Sequence, residues 1–278
     1  VAAIALALGS SLVWGCADFL GGVLTRRLAL AAVTVFSQGA GFVALLVWLA
    51  AGGFRLDGRA FWIGILAGIG GGIGLAAFYR ALAVGTMSIV SPLVACGAVV
   101  PFGIALATGE RPSAVAAGGA VVALAGAVLA SAEEHRSTDA GRRRGAALAI
   151  GAAVALGLFV YFLGLAGKHG ATLSALFGAR SGSLAVLALF AFVTRAPMRL
   201  ARRDVGAVAV LGLLDTGANA LFVLASARGY LSIVAVLGSL YPVVTVFAAH
   251  LLLAERISWP QRIGVACALG GVAAVAYG

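Results

Sequence analysis

Charge is scarce in this 278-residue chain: 10% of its residues are charged, whereas a soluble domain carries about 25%. A water-soluble fold is thereby excluded, because the polar surface is too small to cover the apolar remainder. Cysteine is nearly missing as well. Cys16, Cys96 and Cys267 each lie inside an apolar run with no second Cys or His at metal-ligand spacing, so they read as small buried hydrophobes and imply neither a disulfide nor a metal site. Of the histidines, His135 and His169 fall between apolar runs and His250 stands alone near the end of one. No His-centred cluster results, and no nucleotide-binding loop is present, so no catalytic residue, cofactor or enzymatic chemistry is expected. Alternation with the period of a strand is absent too, and the runs are too long for barrel strands.

Apolar length is what the chain has in abundance: 63% of its residues are hydrophobic and its mean hydropathy is +1.12. About 20 residues carry a helix across a bilayer, and breaks in the pattern predict ten spans, at 2–24, 32–51, 60–82, 87–108, 114–132, 146–167, 172–194, 205–227, 231–253 and 260–277. Each must be a helix, since only a helix satisfies its own backbone in lipid. The first run leads into further helices and not to a cleavage site, so it reads as a membrane helix and not as a leader. Nineteen basic residues face nine acidic ones, but the arginines cluster between apolar runs, where they fix orientation. The expected partner is the lipid bilayer, not a nucleic acid.

The longest polar connection, Glu133 to Arg144, lies near the middle of the chain and separates two related halves. Phe78 to Val90 ends in Gly85-Thr86-Met87-Ser88-Ile89-Val90, and Phe222 to Val234 ends in Gly229-Tyr230-Leu231-Ser232-Ile233-Val234, at a constant offset of 144. Each half then reaches an acid-base pair, Glu110-Arg111 or Glu255-Arg256, followed by a Ser, a Pro and one more apolar run. The expected organisation is a repeat over 1–132, a linker over 133–145 and a second repeat over 146–278. Five helices is an odd number, so the second repeat enters the membrane from the opposite side. The fold class expected is an all-α polytopic membrane protein, ten transmembrane helices as two inverted five-helix repeats around a central cavity.

Several short motifs recur in order: Trp14-Gly15, Tyr79-Arg80-Ala81-Leu82, Ser88-Ile89-Val90-Ser91-Pro92-Leu93, Gly109-Glu110-Arg111, Leu240-Tyr241-Pro242-Val243 and Ala254-Glu255-Arg256. With them the chain resembles the EamA family of the drug/metabolite transporter superfamily. The resemblance implies ten helices around a cavity, alternating access by rocking of helix groups, and export of amino acids or related metabolites. One position departs from the family pattern. A proline stands thirteen residues before the acid in the second half, as Pro242, whereas the first half has Gly97 there and Pro101 four residues later.

A charge inside a membrane helix is costly, by about 3 kcal/mol at its centre, and so marks a functional candidate. Asp18 shares a helical face with Ser11, Trp14, Gly21 and Thr25, and Asp215 shares one with Asn219, Phe222 and Ser226. These carboxylates could bind an ammonium or exchange a proton; alternatively, one of them pairs with Arg180. Arg180 itself could meet a substrate carboxylate, and Gln38 occupies nearly the equivalent place in the first half. Trp14, Tyr79, Phe159 and Tyr241 are aromatic candidates for the path. Pro92, Pro101 and Pro242 interrupt two helices, freeing carbonyls that a cavity can satisfy. Glu110 and Glu255 cap or gate a loop, Arg80 and Arg228 snorkel from helix ends, and Trp48, Trp62 and Trp259 belong to the interface. Gly64, Gly68 and Gly72 give one helix a smooth face; Gly118-Gly119 and Gly270-Gly271 are assigned to packing, a homodimer contact included.

The functional expectation is therefore a secondary transporter of a small-molecule substrate, driven by a gradient and located in a bacterial inner membrane. One alternative is multidrug or cation efflux, against which an internal Arg argues. Another is a non-transporting scaffold or lipid-handling subunit. The basic clusters Arg26-Arg27, Arg142 to Arg144 and Arg195 to Arg203 share one side of the membrane; the positive-inside rule places that side in the cytoplasm, whereas the resemblance places both termini there.

Overall fold

The computed structural model describes residues 1–51, 56–84, 93–94, 96–130, 139–253 and 258–277, and these are helical with no strand among them. The helices are α1 (Ala2–Thr25), α2 (Leu30–Ala51), α3 (Gly58–Val84), α4 (Val99–Ala107), α5 (Ala114–Ala130), α6 (Asp139–Gly167), α7 (Thr172–Val193), α8 (Arg202–Ser226), α9 (Leu231–Gly238), α10 (Tyr241–Leu253) and α11 (Trp259–Tyr277). Among the described residues, seven stretches are long and apolar enough to cross a membrane: Ala2–Thr25, Leu30–Ala51, Gly58–Phe78, Gly145–Gly167, Thr172–Val193, Arg202–Ser226 and Leu231–Leu252. Cys96–Ala107 and Ala114–Leu129 are shorter apolar helices. The Gly85 turn, Ser88 to Pro92, Glu255-Arg256, residues 133–138 of the linker and the side chain of Tyr79 lie outside the described residues.

Polar residues at the breaks explain where the helices begin and end. The Ala60 amide donates to Asp57 Oδ1 at 2.7 Å, the Ala116 amide to Ser113 Oγ at 3.0 Å, and the Ser258 amide to Gln261 Oε1 at 2.9 Å. Each satisfies a donor that the first turn of a helix leaves without a partner. The chain turns out of α4 two residues past its last residue, at Gly109, whose φ of +103° suits glycine, and the Glu110 amide closes the turn on Ala105 O at 3.0 Å.

The span expected over 231–253 is divided. α9 stops at Gly238, the Ser239 amide still bonds back to Ala235 O at 3.0 Å, and α10 starts at Tyr241. Pro242 is the second residue of α10 and Pro101 the third of α4, which follows directly on a 3-10 turn at Cys96–Ala98. Both prolines therefore stand in a first turn, where an N–H has no partner within its own helix and its loss costs that helix no bond. The discontinuity lies before each proline and not at it.

Packing is chiefly between the two halves of the sequence. α3 runs along α6 and α7, α8 along α1 and α2, α4 meets α9, and α5 pairs with α11. Glycine and alanine make these approaches close. A Cβ at Gly64 would lie 2.3 Å from Ala175 O, at Gly68 2.0 Å from Ala179 O, and at Gly72 2.7 Å from Val186 Cβ. α7 answers with Gly178 and Gly182, whose Cβ atoms would meet Phe61 O and Ile65 O at 2.1 and 2.6 Å. In the closing helices, Gly119 and Gly271 face each other's backbones, whereas Gly118 and Gly270 meet nothing within 4 Å. Every residue of α9 is buried, as befits a helix that is apolar all round and sits inside a bundle. The outer surface carries large apolar side chains such as Phe192, Leu251 and Leu252, with Trp48, Trp62 and Trp259 exposed near helix ends; a surface of this kind suits lipid.

Candidate functional site

Close packing of α2 on α8 creates the polar centre. A Cβ at Gly212 would lie 2.0 Å from Ser37 O, and one at Gly41 would lie 2.2 Å from Thr216 Oγ1 and 3.4 Å from Arg180 Nε. Only glycines at these two positions let Gln38, one residue from Ser37, reach across to Asp215. Gln38 Nε2 donates to Asp215 Oδ2 at 3.2 Å. Arg180 of α7, 4% exposed, bonds through Nη1 to the same oxygen at 2.6 Å and also to Gln38 Oε1. Ser183, one turn on, donates to Gln38 Oε1 at 2.9 Å. Trp14 of α1 supplies the third donor to the carboxylate, its Nε1 lying 3.2 Å from Asp215 Oδ1. One carboxylate thus ties together α1, α2, α7 and α8.

The two acids are in different states of engagement. Half-buried Asp215 pairs with Arg180, the arrangement that makes the buried guanidinium tolerable. Asp18 is exposed, and among the described residues no basic side chain pairs with it. Its electrostatic neighbours are Asp215 and Tyr241. Trp14 bridges the two environments, with Phe222 at 5.6 Å and Tyr241 edge-on at 6.4 Å between ring centroids. Gly15 allows α10 to come this near, since a Cβ there would lie 2.4 Å from Val244 Cβ and 2.8 Å from Tyr241 O. Thr245 Oγ1 then donates to Gly15 O at 3.2 Å. The Trp14-Gly15 pair therefore has two jobs, an indole for Asp215 and a flat contact for α10.

Among the described residues, four buried side-chain atoms lack a hydrogen-bond partner: Arg180 Nη2, Asn219 Oδ1, Ser11 Oγ and, at the far end of α8, Asp204 Oδ1, which meets Arg27 only as an ion pair. Asn219 Nδ2 donates back to Asp215 O, on its own helix, at 2.7 Å, and its Oδ1 is left as an open acceptor. Unsatisfied groups of this kind are costly unless something pairs with them.

Of the residues singled out in the sequence, Trp14, Asp18, Gln38, Arg180, Asp215, Asn219 and Tyr241 come together here. Phe159 does not join them; it packs on α3, where a Cβ at Gly71 would lie 3.0 Å from Phe159 Cδ2. Arg80 is exposed at the end of α3, and Arg228 Nη1 bonds Leu224 O at 2.8 Å, closing α8. Glu110 caps the start of α9. Ser183 was not singled out, because one serine among many in an Ala/Gly-rich helix carries no signal. The stacked pair Phe42 and Phe177, 5.2 Å apart with Phe61 beside them, was likewise indistinguishable from ordinary core. Cavities among the described residues form elsewhere. One of about 310 Å³ lies beside Glu110 and one of about 330 Å³ lies between Leu30, Thr34, Ala76, Leu187 and Phe190. Neither is lined by Asp18, Arg180 or Asp215.

A family model described as the EamA-like transporter family matches residues 143–277. A crystal structure of another protein is similar with a TM-score of 0.80 at 19% identity, covering 98% of this chain and 94% of its own; at that identity the likeness concerns the fold alone. No curated protein matches the chain.

Proposed function

We propose, from the premise that residues 143–277 belong to the EamA-like transporter family of the drug/metabolite transporter superfamily, that the whole chain is a secondary transporter exporting amino acids or related small metabolites across a bacterial inner membrane. It works by alternating access, with ten crossings arranged as inverted repeats over 1–132 and 146–278 and a linker over 133–145. The pattern of packing supports this reading. Exchanging the halves turns the contacts of α3 with α6 and α7 into those of α8 with α1 and α2, and leaves the pairs α4 with α9 and α5 with α11 in place.

The observation that carries the substrate class is the charge balance. Two carboxylates meet one guanidinium, and Asp215 already holds it, so the exposed Asp18 is an acid without a basic partner among the described residues. A substrate ammonium would neutralise Asp18 with the faces of Trp14 and Tyr241 beside it. A substrate carboxylate would take the spare Nη2 of Arg180, a geometry that guanidinium suits. Asn219 Oδ1 and Ser11 Oγ remain for further polar groups. Efflux of carboxylate-free cations is the second reading, favoured because Arg180 is engaged internally and such a substrate does not need it.

Counterflow in proteoliposomes tests both, using a labelled amino-acid panel, the corresponding decarboxylated amines and cationic dyes, with the native chain, Asp18→Asn and Asp215→Asn. Amino-acid flux lost in Asp18→Asn supports the proposal, whereas flux of amines and dyes alone favours cation efflux. Flux that survives both substitutions removes the acids from the path, and flux of nothing tested returns the scaffold reading.

A further inference from the structure

Glu110 is engaged by more donors than any role as a loop residue requires. It follows Gly109 at the end of α4, in the first half of the chain, and its Oε1 accepts from the Leu231 amide at 2.8 Å. Its Oε2 accepts from the Ser232 amide at 2.8 Å and from Ser232 Oγ at 2.9 Å. Lys168, between α6 and α7, adds an ion pair to Oε1. All four donors belong to the second half. Two of them are first-turn amides of α9 that no intrahelical carbonyl can satisfy. Hydrogen bonds with an ionised partner are roughly twice as strong as neutral ones. Outside the membrane-spanning segments, burial by itself would raise the Glu110 carboxyl, but Lys168 and the three α9 donors outweigh it and hold the group below its ordinary range. The carboxylate is therefore ionised at neutral pH, when the contact is strongest.

The position of this contact matters as much as its strength. It lies where α8 ends and α9 begins, whereas the ion pair of Arg27 with Asp204, 3.0 Å, lies where α8 begins. These are opposite ends of a 25-residue helix, about 37 Å apart at 1.5 Å per residue. α9 is eight residues long and wholly buried. Its first turn is bolted by Glu110, and its last residue, Gly238, lies against the central site, a Cβ there being 3.5 Å from the Trp14 ring. Beyond Gly238 the helix is interrupted. α9 is thus a short rigid piece fixed at one end to α4 and touching the site's indole at the other, with the cavity of about 310 Å³ lined by Glu110, Lys168, Tyr161, Leu165 and Tyr230 beside the bolt.

We infer that Glu110 is the latch that keeps the path closed at the α9 end of the bundle, and that its release from Leu231, Ser232 and Lys168 frees α9 to move away from Trp14. This rests on the transporter reading, but its test does not need a transported substrate. In a background of Cys16→Ala, Cys96→Ala and Cys267→Ala, a Leu165→Cys probe in the reconstituted full chain is reacted with a membrane-impermeant maleimide. Glu110→Gln is expected to raise the labelling rate about tenfold, with smaller increases for Ser232→Ala and Lys168→Met. Hydrogen exchange at the Leu231 and Ser232 amides reports the local cap separately. Faster exchange with unchanged labelling would show a helix cap that holds nothing closed, and would overturn the inference. Should Glu110→Gln not purify as a folded protein, Ser232→Ala and Lys168→Met decide by the same criterion. Absence of flux in the counterflow assay leaves this result standing, since labelling reads opening directly.

Discussion

Arg180 is 4% exposed, and its guanidinium is not tolerable in this interior without Asp215. Removing one member of such a pair leaves an uncompensated charge and costs about 3 kcal/mol, whereas replacing both by apolar residues of similar volume is close to neutral. Asp215→Leu, which leaves the buried guanidinium alone, is therefore expected to lower thermal stability in detergent sharply, and Asp215→Leu with Arg180→Leu to regain most of the loss. Equal damage in the single and double variants would mean that the pair contributes nothing as a pair. That these residues are candidates was legible in the sequence, because a charge within an apolar run stands out against its surroundings. That Arg180 chooses Asp215 over Asp18 was not legible. The choice depends on the rotation of α7 against α8, and on two glycines, Gly41 and Gly212, that bring Gln38 into the same group. Nothing in the spacing of Gly41 or Gly212 separates them from Gly39 or Gly217, which meet nothing within 4 Å.

At the scale of the helix, the same distinction becomes a prediction about glycine. Gly68 and Gly118 are both mid-helix, where replacing glycine by alanine gains about 1 kcal/mol of helix propensity. A Cβ at Gly118 meets open space, but one at Gly68 would lie 2.0 Å from Ala179 O and 2.7 Å from the Ser183 amide nitrogen. Gly118→Ala should therefore stabilise the protein slightly, while Gly68→Ala should destabilise it despite the same gain, because α3 must move off α7. Thermal unfolding of the two variants side by side checks the opposite signs. A fall in both would place Gly118 in a contact outside the single chain, as a homodimer through that face would require. Spacing alone predicted the close face at Gly64, Gly68 and Gly72, since a repeat of four holds one side of a helix. It did not predict the break after Gly238, because Gly238-Ser239-Leu240 continues an apolar run and only the neighbouring Pro242 hinted at an interruption. The helix α6 likewise starts at Asp139, inside the stretch expected to be linker, since a charged sequence can continue a helix beyond the part that crosses lipid.

For the molecule as a whole, length, hydropathy and the repeat indicated two related sets of apolar helices, but not how the sets interlock. α3 is sandwiched between α6 and α7, α1 and α2 flank α8, and α5 lies along α11, whereas α1 and α2 touch each other only slightly. Helix packing in lipid rests on such close contacts, there being little hydrophobic drive between helices already surrounded by acyl chains. Each half by itself would leave its glycine faces and its polar groups unpaired: the first half would carry Gln38 without Arg180 and Asp215, and the second would carry Arg180 and Asp215 without Gln38 and Trp14. Co-expression of residues 1–132 and 133–278 as separate chains, with a tag on one, should therefore yield a complex in which both co-purify, and either alone should be degraded or aggregate. If each half instead purifies as a folded, monodisperse species, the packing within halves is sufficient and the interlocking adds little. Co-purification of the halves combined with loss of the complex in Gly68→Leu would assign that interlocking to the α3–α7 face, the contact along which the two halves would have to slide if access alternates.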